Sequence, residues 1–201
     1  MQAEILSLFA VPLGLTEDLL DAATNAELAT WVLRERAADA GVQRSNVGGW
    51  HSRPDLPNRG APALDVLFAA LIEQVRSMHG RLSRIADFRA RYMLQAWATV
   101  LEHGDYMQVH DHADAHWSVV YYVDVGDSDD PASGRISWIN PVDGHRSLPG
   151  VSLVQSTFAC TPRTGLLVVF PGWLRHTVEP YRGSRPRIVI AANIEVQAVR
   201  D

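Results

Sequence analysis

The 201-residue chain is 47% hydrophobic, which is enough to build one substantial core. Its formal net charge is −5, with 18 Lys and Arg against 23 Asp and Glu, so it lacks the basic excess typical of nucleic-acid-binding proteins. The single cysteine, Cys160, excludes an intrachain disulfide and favours a reducing, cytoplasmic location. We expect one domain over residues 1–201, with a helical part (1–90) followed by a β-rich part (91–201).

The N-terminal segment, MQAEILSLFAVPLG, carries no basic residue ahead of its apolar run, so we expect no signal peptide. No apolar stretch approaches the roughly 20 residues that a membrane-spanning helix needs. The sequence therefore predicts an intracellular protein that does not associate with membranes.

The first part of the chain is predicted to be helical. Thr24 or Asn25 can cap a first helix that carries apolar side chains on one face, and Gly41 can end it. A second helix is expected to begin near Pro62 and to end by Gly80, because its apolar residues follow the i, i+3, i+4, i+7 spacing of a buried stripe. Both stripes are interpreted as packing surfaces rather than ligand sites.

The segment between these helices, residues 45–57, reads SNVGGWHSRPDLP. Its two adjacent glycines, Gly48 and Gly49, and its two prolines argue against regular structure and predict an ordered loop. Trp50 and His51 in this loop can border a pocket, although an aromatic plug between helix and sheet is the simpler interpretation.

From about residue 90 the apolar periodicity falls to two. In RYMLQAWATVL, small and apolar residues alternate with a second set that includes Trp97, which predicts a strand followed by a turn at residues 103–105. Short strands with turn-rich connections and no intervening helix predict a mainly β fold, a double-sheet jelly roll with the two helices packed outside. The further predicted strands are residues 118–125, 135–139, 155–160, 166–170, 176–178 and 187–196.

The stretch HDHADAHWSVVYYV, residues 110–123, places three histidines and two aspartates directly ahead of a strongly β-forming run. On a strand, residues i and i+2 point to one face, so His110 and His112 can present two imidazoles to a single metal ion. The same argument applies to His112 and Asp114, and the two pairs remain alternatives. Among the other histidines, His116 is expected to lie nearest to the site.

A third ligand has to come from elsewhere in the chain, and His176 is the best candidate. It follows an apolar strand and a Pro-Gly corner in GLLVVFPGWLRHTV. Two ligands close together and a distant third are typical of the facial triad, which leaves positions on iron open for a substrate and for dioxygen. A structural zinc site would close its ligand shell, usually with thiolates, and this chain has one cysteine.

Arg187 begins the last predicted strand, in RPRIVIAANIEV. An arginine there is usually exposed, but this strand is expected to run beside His176, so the guanidinium can reach the same cavity. A bidentate clamp on a carboxylate is the interaction that suits this side chain best. Trp97 and Trp173 can line the cavity, although core packing is the simpler expectation for both.

These residues resemble the iron(II)- and 2-oxoglutarate-dependent oxygenases of the double-stranded β-helix fold. More narrowly, the sequence is similar to a bacterial family of 2-oxoglutarate/iron oxygenases with an H-x-H…H pattern. That family continues its H-x-H, after a short gap, into S-G-V-x-Y, and the spacing from His110 to Ser118 matches it. The matching segments are LFAVPLG, SNVGGWHS, GDYMQVHDH, SVVYYV, GLLVVFPGWLRHTVEP and RPRIVIAANI.

The resemblance implies that His110, His112 and His176 bind Fe(II). It also implies that 2-oxoglutarate, held by Arg187 with help from Tyr122, is converted to succinate and CO2 while a substrate is hydroxylated. Two residues depart from the family pattern: Val119 replaces a glycine, and Val189 replaces the serine of the R-x-S motif.

Two rival functions remain open at this point. One is a cupin-type three-histidine dioxygenase that works without 2-oxoglutarate, and the other is a non-enzymatic jelly-roll module that binds a metal. The expected partners are dioxygen and a small-molecule or peptide substrate, with neither nucleic acid nor a membrane, and a homodimer is left open. Loops at residues 45–57, 126–134 and 140–150 are expected to shape the entrance.

Overall fold

The computed structural model describes residues 4, 10–84, 89–112, 114–142 and 156–199. It contains two antiparallel β-sheets and two α-helices. In chain order the elements are β1 (Gly14–Thr16), α1 (Ala22–Ala38), β2 (Asn46–Val47), β3 (Trp50–His51), a 3-10 helix (Leu56–Asn58), α2 (Pro62–Leu82), β4 (Ala90–Leu101), β5 (Tyr106–His110), β6 (Trp117–Asp124), β7 (Ile136–Ile139), β8 (Thr157–Cys160), β9 (Leu167–Pro171), β10 (His176–Val178) and β11 (Arg187–Ala198).

The strands form the two sheets of a jelly roll. The larger sheet has the order β1-β9-β6-β11-β4-β3, and the smaller sheet has the order β2-β5-β10-β7-β8. Side chains from both sheets form a common apolar layer between them, which includes Tyr122 and Phe170 from the larger sheet and Trp138 from the smaller one. The predicted mainly β jelly roll with N-terminal helices outside is confirmed.

The helices cover the outer face of the larger sheet. Their apolar stripes pack with Ala96, Ala98 and Val100 of β4, so both stripes are packing surfaces as predicted. Trp97 and Thr99, on the other face of the same strand, line a cavity between the sheets. Alternate side chains along β4 therefore face the helices on one side of the sheet and the cavity on the other.

The cap predicted for the first helix was wrong. Asp21 caps α1, and its side chain accepts a hydrogen bond of 2.7 Å from the backbone N–H of Thr24. Asn25, the other predicted cap, is buried, and its side-chain oxygen accepts a hydrogen bond of 2.5 Å from the Tyr121 hydroxyl. This bond joins the first helix to β6.

The loop predicted at residues 45–57 is ordered, but it contains two short strands. β2 pairs with β5 in the smaller sheet and β3 pairs with β4 in the larger one, so the chain changes sheets between them. Gly48 and Gly49 make this crossing with φ of +67° and +63°, values that favour glycine. The glycine pair that argued against strands therefore connects two of them.

The other strand boundaries follow the prediction within a few residues. β1 and β5 were not predicted, and the expected strand start at residue 155 and part of the 140–150 loop lie outside the described residues. Within the described ranges, no helix is long and apolar enough to cross a lipid bilayer.

The two longest strands extend past the smaller sheet. β4 and β11 have 12 residues each and pair along their full length, whereas β5 has five residues and β10 has three. Trp97 and Thr99 are buried between the sheets, but Met93, Gln95 and Glu195 on the same face are exposed. One end of this inner face therefore extends beyond the strands of the smaller sheet that the structure describes.

Replacing Tyr121 with phenylalanine should lower the free energy of unfolding by about 1–2 kcal/mol, because the buried Asn25 oxygen loses its donor. Urea denaturation measures the change. Tyr106→Phe, at a partly buried position of β5, is the matched control and should change stability less. Equal losses in the two variants would contradict a structural role for the Tyr121 hydroxyl.

Candidate functional site

Two histidines face each other across the smaller sheet. His110 is the last residue of β5, His176 is the first residue of β10, and the antiparallel register pairs them directly. Paired residues in such a ladder project to one face. Their imidazole centroids are accordingly 4.3 Å apart.

His112 completes the group from just beyond the end of β5. Its backbone N–H donates a hydrogen bond of 2.7 Å to the Gly172 carbonyl, which holds the turn against the corner after β9. The His112 ring centroid lies 5.1 Å from that of His110 and 5.3 Å from that of His176. One ligand atom from each of the three histidines can be chosen so that all lie within 4.8 Å of one another.

Asp114, the alternative ligand, is exposed and is not a member of this group of described residues. The structure therefore brings together His110 and His112, the pair that the spacing to Ser118 favoured. His112 is positioned by a turn rather than by the strand alternation from which its role was first inferred.

Backbone carbonyls orient two of the three rings. Nδ1 of His110 donates to the Gln108 carbonyl at 2.7 Å, and Nδ1 of His176 donates to the Leu174 carbonyl at 2.9 Å. A ring that donates through Nδ1 keeps an unprotonated Nε2, which is the form that binds a metal.

All three rings are neutral at pH 7. Burial, followed by the neighbouring His110, lowers the pKa of His176 to about 3 and that of His112 to about 4. Burial also lowers the pKa of His110. Three neutral nitrogen donors in one group, with His176 buried and the other two partly buried, fit a divalent transition metal.

Arg187 is a buried cation, with 1% of its surface exposed. Its guanidinium carbon lies 5.2 Å from the ring centroid of Tyr122, and no described carboxylate forms an ion pair with it. Its Nε and the buried Tyr122 hydroxyl both lack a hydrogen-bond partner among the described residues. Burial lowers the pKa of Arg187 and raises the pKa of Tyr122 to about 12, so the tyrosine keeps its proton.

The histidine group and Arg187 line the same cavity between the sheets. Its free volume is about 50 Å³, and much of the wall between the two ends is apolar, including Val119, Ile136 and Phe170. A buried cation and a buried hydroxyl at the far wall fit the carboxylate of a small acid. Gly134 packs so closely on Arg187 that a Cβ there would lie 2.6 Å from Cδ.

A wider opening of about 570 Å³ lies on the outer side of the histidines. It shares Trp97, Met107 and two of the histidines with the inner cavity. Its remaining lining is mostly polar: Arg44, Ser45, His51, Pro54, Gln95, Asp111, Asp114 and Asn193.

Sequence reasoning placed some residues near the site wrongly and passed over others. His116 is exposed, and its Nδ1 accepts a hydrogen bond from the Val196 backbone, so it does not line either cavity. His51 lies at the opening and Trp97 lines both cavities, as the sequence analysis allowed for each of them. Trp173 is 50% exposed and lines neither. His145 lies outside the described residues.

Thr99 and Asn193 had no distinguishing signal in the sequence. Thr99 lines the inner cavity and is the register partner of Val189. Asn193 accepts a hydrogen bond of 3.2 Å from Ser118 and interacts with the His112 ring. Only the pairing of β4, β6 and β11 brings them to the site.

A jelly roll that holds three neutral imidazoles beside a buried arginine with no carboxylate partner among the described residues has the architecture of a non-haem metal oxygenase. Residues 95–193 match the family model described as "Putative 2OG-Fe(II) oxygenase", where 2OG is 2-oxoglutarate. The matched residues run from β4 to β11, through the jelly-roll part of the chain. No curated protein matches the chain in sequence.

Solved structures share the fold at low sequence identity. A prolyl-4-hydroxylase from Pseudomonas putida is 18% identical, with a TM-score of 0.67 and 94% of each chain covered. A prolyl hydroxylase from Trichoplax adhaerens, solved with a hypoxia-inducible-factor peptide, is 15% identical, with a TM-score of 0.67 and coverage of 91% of this chain and 83% of that one. HygX from Streptomyces hygroscopicus, solved with nickel and 2-oxoglutarate, is 13% identical, with a TM-score of 0.64 and coverage of 92% and 83%.

The metal-free protein should lose stability as the pH falls from about 6.5 towards 4. The unfolded chain protonates its histidines near 6.5, whereas folded His112 and His176 stay neutral to about 4 and 3, so the unfolded state binds more protons in this range. Between pH 7 and pH 5, the free energy of unfolding should fall by about 2 kcal/mol less in His176→Asn than in wild type, as measured by urea denaturation. His103→Asn, at an exposed position, should behave as wild type. Parallel curves for His176→Asn and wild type would contradict the buried, neutral state of His176.

Proposed function

We propose that this protein is an Fe(II)- and 2-oxoglutarate-dependent oxygenase whose metal ligands are His110, His112 and His176. One observation carries the proposal: a buried arginine without a described carboxylate partner faces the same small cavity as a group of three neutral imidazoles. Such a cation is costly unless a ligand neutralises it, and the cavity has room only for a small one.

The donor set supports iron rather than a structural metal. Three protein ligands leave coordination positions free for a cosubstrate and for dioxygen, as in the facial triads of non-haem iron oxygenases. All three ligands are uncharged at pH 7, so the triad itself contributes no negative charge. A bound oxoacid, which is an anion, would supply the charge that the protein does not.

Arg187 would hold the far carboxylate of 2-oxoglutarate, and Tyr122 would donate a hydrogen bond from its protonated hydroxyl. Val189 stands where relatives carry a serine, and the Thr99 hydroxyl lies on the neighbouring strand in register with it. When bound, the iron and the oxoacid supply the oxidising chemistry. The chain's own residues orient the cosubstrate and keep water away from it through the apolar cavity wall.

The substrate would approach through the polar opening on the outer side of the histidines. Structures with the same fold have been solved with a peptide and with the antibiotic hygromycin B, so both peptides and small molecules are compatible with the fold. With one cysteine, the chain suits a reducing compartment such as the cytoplasm.

A three-histidine dioxygenase that oxidises its substrate without an oxoacid is the second candidate. The all-histidine triad and the valine at position 189 favour it. The two candidates differ in the role of Arg187, which has a function only if an oxoacid binds.

Anaerobic addition of ferrous ion and 2-oxoglutarate should produce the visible charge-transfer absorption of an oxoacid chelated to iron. His110→Ala, His112→Ala and His176→Ala should each lose most of this absorption, because two imidazoles hold the metal poorly. Asp114→Ala should retain it and serves as the matched control within the same turn. A protein that binds iron but shows no absorption with 2-oxoglutarate would favour the second candidate.

Arg187→Met should separate ligand binding from stability. Loss of the guanidinium should weaken 2-oxoglutarate binding on the order of 100-fold, measured by anaerobic titration of the charge-transfer absorption, with iron affinity unchanged. The ligand-free variant should be at least as stable as wild type in urea denaturation, because a buried unpaired charge is removed.

The exposed Arg185→Met is the control for this titration and should bind 2-oxoglutarate as wild type does. Undiminished binding of 2-oxoglutarate by Arg187→Met would rule out the proposed carboxylate site. Oxoacid-independent turnover that survives in the same variant would establish the second candidate.

A further inference from the structure

The three histidine rings are not held in the same way. His110 and His176 are each anchored through Nδ1 to a backbone carbonyl. His112 follows the end of β5, and its ring contacts the Asn193 side chain and other rings. The plane of the His112 ring is therefore set by neighbouring side chains.

Trp97 makes a parallel contact with that ring. The two ring centroids are 5.4 Å apart, with 16° between the planes. Trp97 also stacks on His51 at 5.7 Å and 13°, and His112 in turn stacks on His176 at 5.3 Å and 10°. His51, Trp97, His112 and His176 thus form one continuous ring column from the opening to the metal site.

The outer end of the ring column is fixed. His51 is buried, and its Nδ1 donates a hydrogen bond of 2.6 Å to the Ser52 carbonyl. Its strand pairs with β4, so the backbone of His51 is tied to the strand that carries Trp97. Because Trp97 is itself only 8% exposed, the indole has little room to turn away from His112.

A metal ion changes how the indole and the imidazole interact. Coordination draws electron density out of an imidazole ring, and the face of tryptophan is the strongest side-chain partner for an electron-poor group. The contact should therefore be stronger in the metal-bound protein than in the metal-free one. A triad without a charged ligand depends more on such contributions than a triad with a carboxylate.

We propose that Trp97 is a positioning residue for the metal site: its indole fixes the ring plane of His112 and stabilises the metal-bound form of the triad. This inference rests on the proposed function of the three histidines as metal ligands. Trp97 then has two roles: it packs between the sheets on the cavity side of β4, and it orients a metal ligand.

The test is a titration of the full-length protein with Co(II), whose ligand-field absorption reports both affinity and coordination geometry. Trp97→Leu should bind Co(II) about tenfold more weakly than wild type, with altered ligand-field bands. Trp97→Phe keeps an aromatic face and should recover affinity to within about threefold. Trp97→Met, whose flexible side chain fills irregular space, is the non-aromatic variant to use if leucine does not fold.

Trp31→Leu is the matched control, because it removes a buried indole from the helix side of the same sheet. It should lower stability but leave Co(II) affinity and absorption unchanged. Wild-type Co(II) affinity and ligand-field bands in Trp97→Leu or Trp97→Met would overturn the inference without affecting the proposed metal site. The same holds if Trp97→Phe binds Co(II) as weakly as Trp97→Leu does. Failure of the wild-type protein to bind Co(II) would overturn the proposed metal site itself, and the inference with it.

Discussion

The candidate site depends on the register between β5 and β10. This pairing places His176 directly opposite His110, although the two residues are far apart in the chain. A shift of one residue would turn one of the two imidazoles to the opposite face of the sheet. The backbone hydrogen bonds that hold the smaller sheet together therefore also decide whether the three histidines can share a metal ion.

The interior of the jelly roll carries polar groups that are costly to bury. Arg187, Tyr122 and the three histidines occupy a layer that is otherwise apolar, and Nε of Arg187 and the Tyr122 hydroxyl have no hydrogen-bond partner among the described residues. Such groups are retained in a core when a ligand satisfies them. The same burial that makes them costly keeps the imidazoles neutral and able to bind a metal.

The sequence predicted the features that depend on local periodicity. Spacing and family resemblance singled out five candidate site residues, which the structure brings to one cavity: His110, His112, Tyr122, His176 and Arg187. It did not predict the helix cap, because Asp21, Thr24 and Asn25 are all suitable capping residues and only the buried bond to Tyr121 shows that Asn25 is needed elsewhere. Thr99 and Asn193 reach the site through strand pairing between distant segments, which leaves no local pattern. His116 follows His112 closely in the chain, but its ring accepts a hydrogen bond from the Val196 backbone and lines neither cavity.

Because β4 and β11 are longer than the strands of the smaller sheet, one part of them forms exposed surface and another part lies beside the histidines. Met93, Gln95 and Glu195 lie on the part of β4 and β11 that extends past the smaller sheet, and all three are exposed. Substitutions there would change the surface that an incoming molecule meets while the ladder behind the histidines stays intact. This architecture allows selectivity to diverge by point mutation, with the chemistry held constant a few residues further along the same strands.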